Sequence, residues 1–468
     1  MNSKIDISYR RIAQIITPVL IGQLSYTMMG VIDTVMVGRL GVTALAGVGL
    51  GNFVTWWLLS FVVGMITGVN TLVAQAVGGG RPRAAGSALY QGIYLGLIMA
   101  AGLAACWPLV PGLMHRIGAA AETAGIASGY MQIRLLGGFG FAILTVCDSF
   151  YRGLGRTGIL MWCGLAQMVL NCGLNWLLIF GNLGAPRLGA TGAAWGTILA
   201  QLVIGLFLWS TIQGRARYRG EFSLHETWRP APRVFRRLAR LSLPIAVQYF
   251  MEMGGITVFF ALIARLGDAE MAATNAVVQA WSVAFLAAVS LSVGSTTLAG
   301  QCIGAGRPEE ARRAVARVLR AGYVISAIMG GIYLALPETL MALFVQDADL
   351  ERLLPFARPL FLIVVVCLFF DLIFHVLSGA LRGAGDTRYP MLVNIGSAWL
   401  LFVPATLIVT PVYGLIGAWC CLVLHVVAMA ALIYQRFRGD AWQKPPLDED
   451  DEPPELLAEE TGRIEAAA

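Results

Sequence analysis

The sequence predicts an all-α integral membrane protein: twelve transmembrane helices in two six-helix lobes related by a pseudo-two-fold along the membrane normal. Three observations lead there. Apolar residues make up 57% of the 468 positions and charged residues only 13%, against roughly 45–50% and about 25% in soluble domains. With a mean hydropathy of +0.72, the chain has too little polar surface to cover a body in water. Its apolar residues fall into about twelve runs, each near the ~20 residues a helix needs to cross a bilayer. The second half also repeats the first. Disordered, collagen-like and disulfide-stapled classes are excluded by the same composition.

The runs, separated by Gly, Pro and Arg clusters, are 12–37, 44–77, 87–110, 124–149, 158–181, 188–212, 239–264, 270–303, 318–345, 354–381, 389–411 and 413–436. The first is too long for the ~7–15-residue core of a cleavable signal peptide and reads as a membrane span. The second and eighth are long enough to include tilted or interfacial turns. The expected organisation is an N-lobe over 1–212, a linker over 213–238, a C-lobe over 239–436 and a disordered acidic tail over 437–468. All eight cysteines lie in apolar runs and no C-x-x-C occurs, so they read as small packing residues.

The net charge of +6 hides two opposite parts. Residues 1–439 carry 31 bases and 17 acids, a balance of +14; from Asp440 onward ten acids face two bases, a balance of −8. Alternate loops collect the bases. The N-terminus (Lys4, Arg10, Arg11), the loops with Arg81, Arg152, Arg307 and Arg382, the linker and the C-terminal end hold 26; the opposite side, where we place Arg134, holds 7. Bases favour the cytoplasmic side, so both termini are expected there. The arginines lie beside spans without interleaved aromatics, which argues for orientation rather than nucleic-acid binding.

The repeat has an offset of 226 over its first part and is nearly ungapped beyond it. Pro18 matches Pro244, and Arg39-Leu40-Gly41 matches Arg265-Leu266-Gly267. Eight of the fifteen positions in 68–82 are identical in 294–308. Arg152-Gly153-x-Gly155 matches Arg382-Gly383-x-Gly385, and Gly189-x-x-Gly192-Ala193 matches Gly414-x-x-Gly417-Ala418. Six spans per unit leave both units pointing the same way, as in transporters with parallel repeats. A midplane cleft between the lobes is the expected substrate site. The two lysines, Lys4 and Lys444, follow Ser3 and Gln443, so no Gly-Lys-Ser/Thr phosphate loop exists. An ion gradient is the simpler energy source.

Three acids lie inside apolar runs: Asp33, Glu252 and Asp371. A charge at the bilayer centre costs about 2.5–3.5 kcal/mol on insertion scales, so such residues hold a proton, bind a cation or face a cavity. None is duplicated: at the repeat offset Asp33 matches Phe259 and Glu252 matches Tyr26, and Asp371, aligned through the Arg-Gly motif, matches Phe141. Asn171 and Asn175 lie one turn apart on the fifth span. With Thr197 on the sixth, they fall at the depth of Asp33. Glu252 and Asp371 could converge, and two close carboxylates need a shared proton or a cation such as Na⁺. Gln248, Tyr26 and His375, which shares a helix face with Asp371, are accessory candidates. Pro18 and Pro244 each remove one backbone bond and mark kinks or hinges. Met28, Met29, Met251 and Met253 supply adaptable apolar surface near the acids.

These residues resemble a known family. Asp-Thr-Val-Met-Val-Gly-Arg-Leu-Gly at 33–41, Gln-Ala-Val-Gly-Gly-Gly-Arg-Pro at 75–82, its echo at 301–308 and Leu-Arg-Gly-Ala-Gly-Asp-Thr at 381–387 are similar to the MATE (multidrug and toxic compound extrusion) family. Glu252 with Asp371 resembles its NorM-type bacterial subgroup. The resemblance implies a V of two six-helix lobes that exports cationic, amphiphilic drugs in exchange for Na⁺ or H⁺, with no cofactor and no enzymatic activity. The coupling residues it implies are Asp33, Asn171, Asn175, Thr197, Glu252 and Asp371, the last two as Na⁺ ligands. Cys367 stands where some NorM-type members carry Tyr. A monomer in a bacterial inner membrane is expected. The alternative is a flippase for a lipid-linked precursor or polysaccharide, whose anionic cargo calls for basic residues in the cleft. A membrane-embedded enzyme would need a nucleophile or metal ligands near Asp371 and His375, and no H-E-x-x-H or H-x-x-x-H occurs.

Overall fold

The computed structural model describes residues 5–117, 120–342 and 347–443, and these are nearly all helical, with no strand among them. In chain order the helices are α1 (Tyr9–Gly38), α2 (Val42–Gly78), α3 (Pro82–Ala105), α4 (Val110–Arg116), α5 (Ala121–Leu136), α6 (Gly138–Gly153), α7 (Gly158–Phe180) and α8 (Ala190–Gly214). Two short linker helices follow, α9 (Ala216–Glu221) and α10 (Leu224–Thr227). The second half holds α11 (Pro232–Ile263), α12 (Asp268–Gly304), α13 (Pro308–Ala335), α14 (Pro337–Ala342), α15 (Asp347–Ala384), α16 (Arg388–Gly396), a π-helical turn (Ser397–Phe402) and α17 (Val403–Arg438).

Ten stretches are long and apolar enough to cross a bilayer, and the pair α5–α6, bent by 52°, is an eleventh. The last stretch, Arg388–Arg438, has 51 residues. At ~1.5 Å per residue it measures roughly 77 Å, more than twice a ~30 Å hydrocarbon core. Gly414, at φ 59° and ψ −146°, interrupts it, so it supplies two spans and the total is twelve. The fourth span covers 121–153 rather than 124–149. Arg134 is the fourteenth residue of that bent span, about 20 Å along it at the same rise.

The repeat is written into the backbone as well as the sequence. Left-handed glycines occur in matched pairs: Gly41 and Gly267 (φ 117° and 150°), Gly80 and Gly306 (68° and 70°), Gly155 and Gly385 (66° and 97°), and Gly189 and Gly414 (58° and 59°). A side chain at such φ values is strained. The same residue type therefore persists at the same turn in both halves. Pro82 and Pro308 open α3 and α13 in the first helical turn, where the missing N–H costs nothing.

The lobes meet through a two-fold crossing of α2 and α12. Gly78 approaches Gln301 so closely that a Cβ would lie 1.9 Å from its carbonyl oxygen; Gly304 meets the Gln75 carbonyl at 2.0 Å. Around this crossing the hydrogen bonds are reciprocal. The Thr71 hydroxyl donates to the Arg382 carbonyl (3.1 Å) and the Gln75 amide to that of Gly383 (2.8 Å). Their counterparts Thr297 and Gln301 donate to the carbonyls of Arg152 (3.0 Å) and Gly153 (3.0 Å). The first half of each lobe's leading helix also crosses to the partner lobe. Ile12, Ile15 and Ile16 of α1 join the core of α12, α13 and α15; Leu238 and Ala246 of α11 join that of α2, α3 and α6. At the opposite end of the spans the cores are separate. One is built from Phe259, Ile263, Val277 and Trp419 of the C-lobe, another from Val37, Val48, Ile179 and Ala193 of the N-lobe. Shared packing at the arginine-rich end and separate packing at the other leave a cleft between two lobes.

Pro18 lies within α1 and Pro244 within α11, and neither interrupts its helix. The carbonyl of Gln14, which Pro18 cannot serve, accepts a hydrogen bond from the Thr157 hydroxyl at 3.1 Å. The linker is docked: Tyr218 and Phe222 are buried, with the guanidinium groups of Arg156 and Arg215 over the Tyr218 ring at 5.0 and 5.6 Å. After α17, Arg312 pairs with Asp440 (2.7 Å), and buried Trp442 stacks on Phe437 at 4.8 Å. The acidic tail beyond Gln443 lies outside the described residues.

Adding one methyl at the crossing is therefore costly. Gly304→Ala is expected to destabilise the detergent-solubilised protein by about 1–3 kcal/mol, the usual cost of overpacking, read as a lower Tm. Gly30→Ala, where nothing lies within 4 Å, is expected to leave Tm unchanged.

Candidate functional site

Each lobe carries its own polar cluster among apolar helices. In the N-lobe, α7 and α8 pack closely because α8 offers Gly192 and Gly196, a small-xxx-small pair. A Cβ on Gly192 would meet Leu178 backbone at 2.7 Å, and one on Gly196 would lie 2.1 Å from Asn175 Oδ1. That fit drives the Asn175 amide toward α1. Asn175 Nδ2 donates to Asp33 Oδ1 at 2.5 Å and to Asn171 Oδ1 at 3.3 Å. Asn171 Nδ2 donates to the Thr197 hydroxyl at 3.3 Å. Thr197 Oγ1 lies 3.4 Å from Asp33 Oδ2 and 2.9 Å from the Ala193 carbonyl, and its single proton serves one of the two at a time. Asn171 and Asn175 have no exposed surface, Thr197 has 3% and Asp33 is half-buried. The four residues singled out from the sequence thus form one network around one carboxylate.

Tyr26, matched to Glu252 in the repeat, is 37% exposed beside Trp56 at 5.9 Å. Its hydroxyl bonds to Arg134. The Arg134 side chain is only 4% exposed and its Nη1 donates to Gln201 Oε1 at 3.3 Å. Arg134 and Gln201 are site neighbours that sequence reasoning missed. The run 124–149 contains Arg134, but nothing local in the sequence shows that it meets Tyr26 and Gln201 on other helices.

In the C-lobe, Asp371 is buried and its Oδ1 lies 3.3 Å from His375 Nε2, one turn along α15. Glu252 on α11 is half-buried, and the charged groups acting on it are His375, Arg382 and Asp371. Both acids therefore share one electrostatic environment across α11 and α15. Gln248 is taken up by Arg382, whose Nη2 donates to its Oε1 at 3.1 Å while Nη1 donates to the Tyr249 hydroxyl at 3.2 Å. Its position is that of an arginine anchor. Cys367 is buried beside the same helix face. Beside Asp371, α12, α13 and α15 leave a cavity of about 10 Å³, room for roughly one water, whose polar walls are Asp371 and Ser326. Among the described residues no group of three His, Cys, Asp or Glu side chains could hold a metal ion. His425 stacks on Phe402 at 5.2 Å.

A fourth acid within the spans, Asp148, is bound at 2.6 Å by Arg152, one turn on. It escaped notice because its partner reads as the start of a basic loop.

The Asn175 geometry generates a test. Gly196→Ala places a methyl on the Asn175 oxygen and is expected to lower ethidium efflux from cells at least about tenfold at equal expression, in line with the cost of losing an oriented polar contact. Gly173→Ala, with nothing within 4 Å, is expected to transport normally.

Comparison with known proteins gives the arrangement its context. The MatE family model matches the chain twice, over residues 18–177 and 244–408, once in each lobe. A probable multidrug resistance protein NorM of Pseudomonas aeruginosa is 32% identical over 426 residues, covering 90% of this chain and 87% of the relative. The multidrug resistance protein MdtK of Pectobacterium atrosepticum is 27% identical over 437 residues, covering 92% and 95%. Among solved structures, a MATE in the straight conformation superposes with a TM-score of 0.83 at 19% identity, over 92% and 95% of the two chains. An outward-facing MATE transporter of the MOP superfamily gives 0.84 at 20%, over 93% and 96%. With both halves matched and relatives aligned along nearly its whole length, the chain belongs to the MatE family, whose members are membrane transporters and not enzymes.

Proposed function

We propose that this chain is a multidrug efflux antiporter that exchanges cationic, amphiphilic compounds for Na⁺ or H⁺ across a bacterial inner membrane, with Asp33, Glu252 and Asp371 as the coupling carboxylates. One observation carries the assignment of roles: each lobe buries an acid in a polar cluster of its own, on either side of a cleft closed at the arginine-rich end. Family membership supports transport; the clusters support where the charge is exchanged.

The arginine-rich end faces the cytoplasm, as its excess of bases favours, and both termini lie there. A drug cation held by the ionised acids and by cleft-facing surfaces such as Tyr26, Trp56 and Met28 balances their charge. Na⁺ or H⁺ arriving from outside neutralises the same acids, and the drug loses its counter-charge and leaves. Asn171, Asn175 and Thr197 hold Asp33 in place through this exchange. His375 holds Asp371. Pro18 and Pro244 lie where each leading helix leaves the partner lobe's core, the position for flexing as the lobes rock. One chain supplies both walls of the cleft, so a monomer suffices. Each charge moved through 100 mV contributes about 2.3 kcal/mol, roughly fiftyfold accumulation. A flippase for an anionic lipid precursor is disfavoured, because Arg134 is buried against Gln201 instead of lining the cleft.

The test is ethidium efflux by everted vesicles or proteoliposomes under an imposed Na⁺ gradient and, separately, an imposed pH gradient. Asp371→Asn and Asp33→Asn are each expected to abolish the response to at least one gradient at wild-type expression. Efflux that stays at the wild-type rate under both gradients removes that acid from the coupling set.

A further inference from the structure

The last helix of each lobe ends at the same place in the repeat. At the offset of 225 that pairs Gly189 with Gly414, Gly214 at the end of α8 pairs with Gly439 just after α17. The chain beyond α8 is the linker, and it lies along α3. Arg83 Nε donates to Ser223 Oγ at 3.2 Å, and Arg83 pairs with Glu226 at 3.3 Å. A Cβ on Gly86 would lie 2.3 Å from the Phe222 carbonyl oxygen and 2.9 Å from Thr227 Oγ1. Gln91 Nε2 donates to the Arg229 carbonyl at 3.1 Å, and the Tyr94 hydroxyl donates to that of Trp228. The linker thus follows α3 from 83 to 94 as it runs from 223 to 229.

The chain beyond α17 starts along the same path on α13. Arg312, matched to Gly86 at the offset of 226, pairs with Asp440 at 2.7 Å and donates to the carbonyls of Arg438 and Gly439 at 3.4 and 3.2 Å. Its guanidinium lies 5.8 Å over the ring of Trp442, which is 1% exposed. Arg156 and Arg215 lie over buried Tyr218 of the linker in the same manner. The next positions are where the lobes differ. Ser87, Gln91 and Tyr94 of α3 correspond to Arg313, Arg317 and Arg320 of α13. Arg317 Nη1 donates to the Ile7 carbonyl at 2.8 Å. Arg313 and Arg320 are exposed and have no partner among the described residues. From 307 to 320 there are five arginines and two glutamates, and Glu310 is already paired with Arg307 at 3.5 Å.

We infer that the acidic segment 448–452 is the C-lobe's counterpart of the linker: it lies along α13 and pairs with Arg313 and Arg320. Register supports this. The offset of 225 carries 223–227, the part of the linker seated on Arg83 and Gly86, onto 448–452, five consecutive acids. Reach agrees. Gln443 is held by Asp440 at 3.0 Å, beside Arg312, and five residues from there to Asp448 span up to ~17 Å. Arg313 is the next residue after the anchor, and Arg320 lies about 12 Å along α13. Charge agrees as well. Where α3 offers Gln91 and Tyr94 as donors, the linker meets them with neutral carbonyls; the arginines of α13 call for carboxylates. Docked in this way, the segment ties the end of α17 to the start of α13. It covers the arginine-rich end of the C-lobe as the linker covers that of the N-lobe, and it does so independently of the acids within the spans.

The experiment uses the full-length protein, one copy per nanodisc, in phosphatidylcholine and in phosphatidylcholine with phosphatidylglycerol. A carbodiimide joins a carboxylate to an amine in contact with it, with no spacer. The chain has two lysines, Lys4 and Lys444, so an amine introduced by Arg313→Lys or Arg320→Lys reacts against a nearly empty background. Mass spectrometry is expected to find 313 or 320 joined to 448–452 in low salt. The product is expected to disappear in about 1 M salt, where charges are screened beyond ~3 Å. The second measurement is cleavage within 448–452 by a glutamyl endopeptidase. Arg313→Gln combined with Arg320→Gln removes two exposed charges, and an unchanged Tm shows that the fold is kept. This double variant is expected to be cut about three- to tenfold faster than wild type, the range that two exposed ion pairs sustain. Absence of the cross-link in phosphatidylcholine discs overturns the inference, as does cleavage of the double variant at the wild-type rate. If the double variant instead loses retained phosphatidylglycerol with no change in cleavage, the arginine face belongs to lipid headgroups and the inference is again overturned.

Discussion

Everything in this molecule hangs on how closely α2 and α12 pass each other. Helices that touch through glycine approach until backbone meets backbone, and here Gly78 and Gly304 do so in reciprocal fashion. The close approach brings Thr71, Gln75, Thr297 and Gln301 within reach of the carbonyls at 152–153 and 382–383. In lipid, an interhelical hydrogen bond contributes only about 0.6 kcal/mol on average, so the four bonds act less as glue than as a register. They set which residues face each other at one end of the spans. The divergence of the lobes at the other end follows from that register and from the separate cores.

The scaffold is symmetric and the chemistry is not. The crossing, the left-handed turns and the exchanged leading helices obey the pseudo-two-fold. The acids do not. Asp33 accepts from the Asn175 amide of α7, which the glycines of α8 let approach closely, and lies beside the Thr197 hydroxyl. Asp371 sits against an imidazole and a small cavity, with Glu252 in the same field. The first environment has one carboxylate and one unspent amide oxygen, Asn175 Oδ1; its other amide and hydroxyl groups are taken up by one another and by Asp33. The second has two carboxylates to give. Two sites with such different donor sets meet ions differently even though they occupy corresponding halves.

Much of this was legible in the sequence. Twelve apolar runs, the offset of 226 and the motif pairs predicted the lobes, because a duplicated turn must keep its glycine if it keeps its φ. The N-lobe cluster was legible too: Asn171, Asn175 and Thr197 share a depth with Asp33 through helix rise alone. Other features were hidden for physical reasons. Arg134 lies inside the run 124–149, but its contacts with Gln201 and Tyr26 cross to other helices and leave no local pattern. Asp148 is masked by Arg152 one turn later, since a paired acid and base next to a basic loop read as loop. Gln248 lies beside Glu252 in sequence but turns to Arg382, and which face a glutamine chooses depends on packing across helices. The compensation of Pro18 by Thr157 joins residues 139 positions apart, and no local pattern links them.

The reciprocity of the crossing has a consequence for how such a molecule comes to exist. A contact in which Gly78 meets Gln301 while Gly304 meets Gln75 is isologous: the same patch recognises itself about a dyad, as in a homodimer. Two identical six-helix chains could form this contact, but they would be bound to place the same acid on both sides of the cleft. Joining them through the docked linker removes that obligation. Each copy then keeps the residues that make the dyad and is free to change the rest, and a pair of unequal sites becomes possible only after the two halves share one polypeptide.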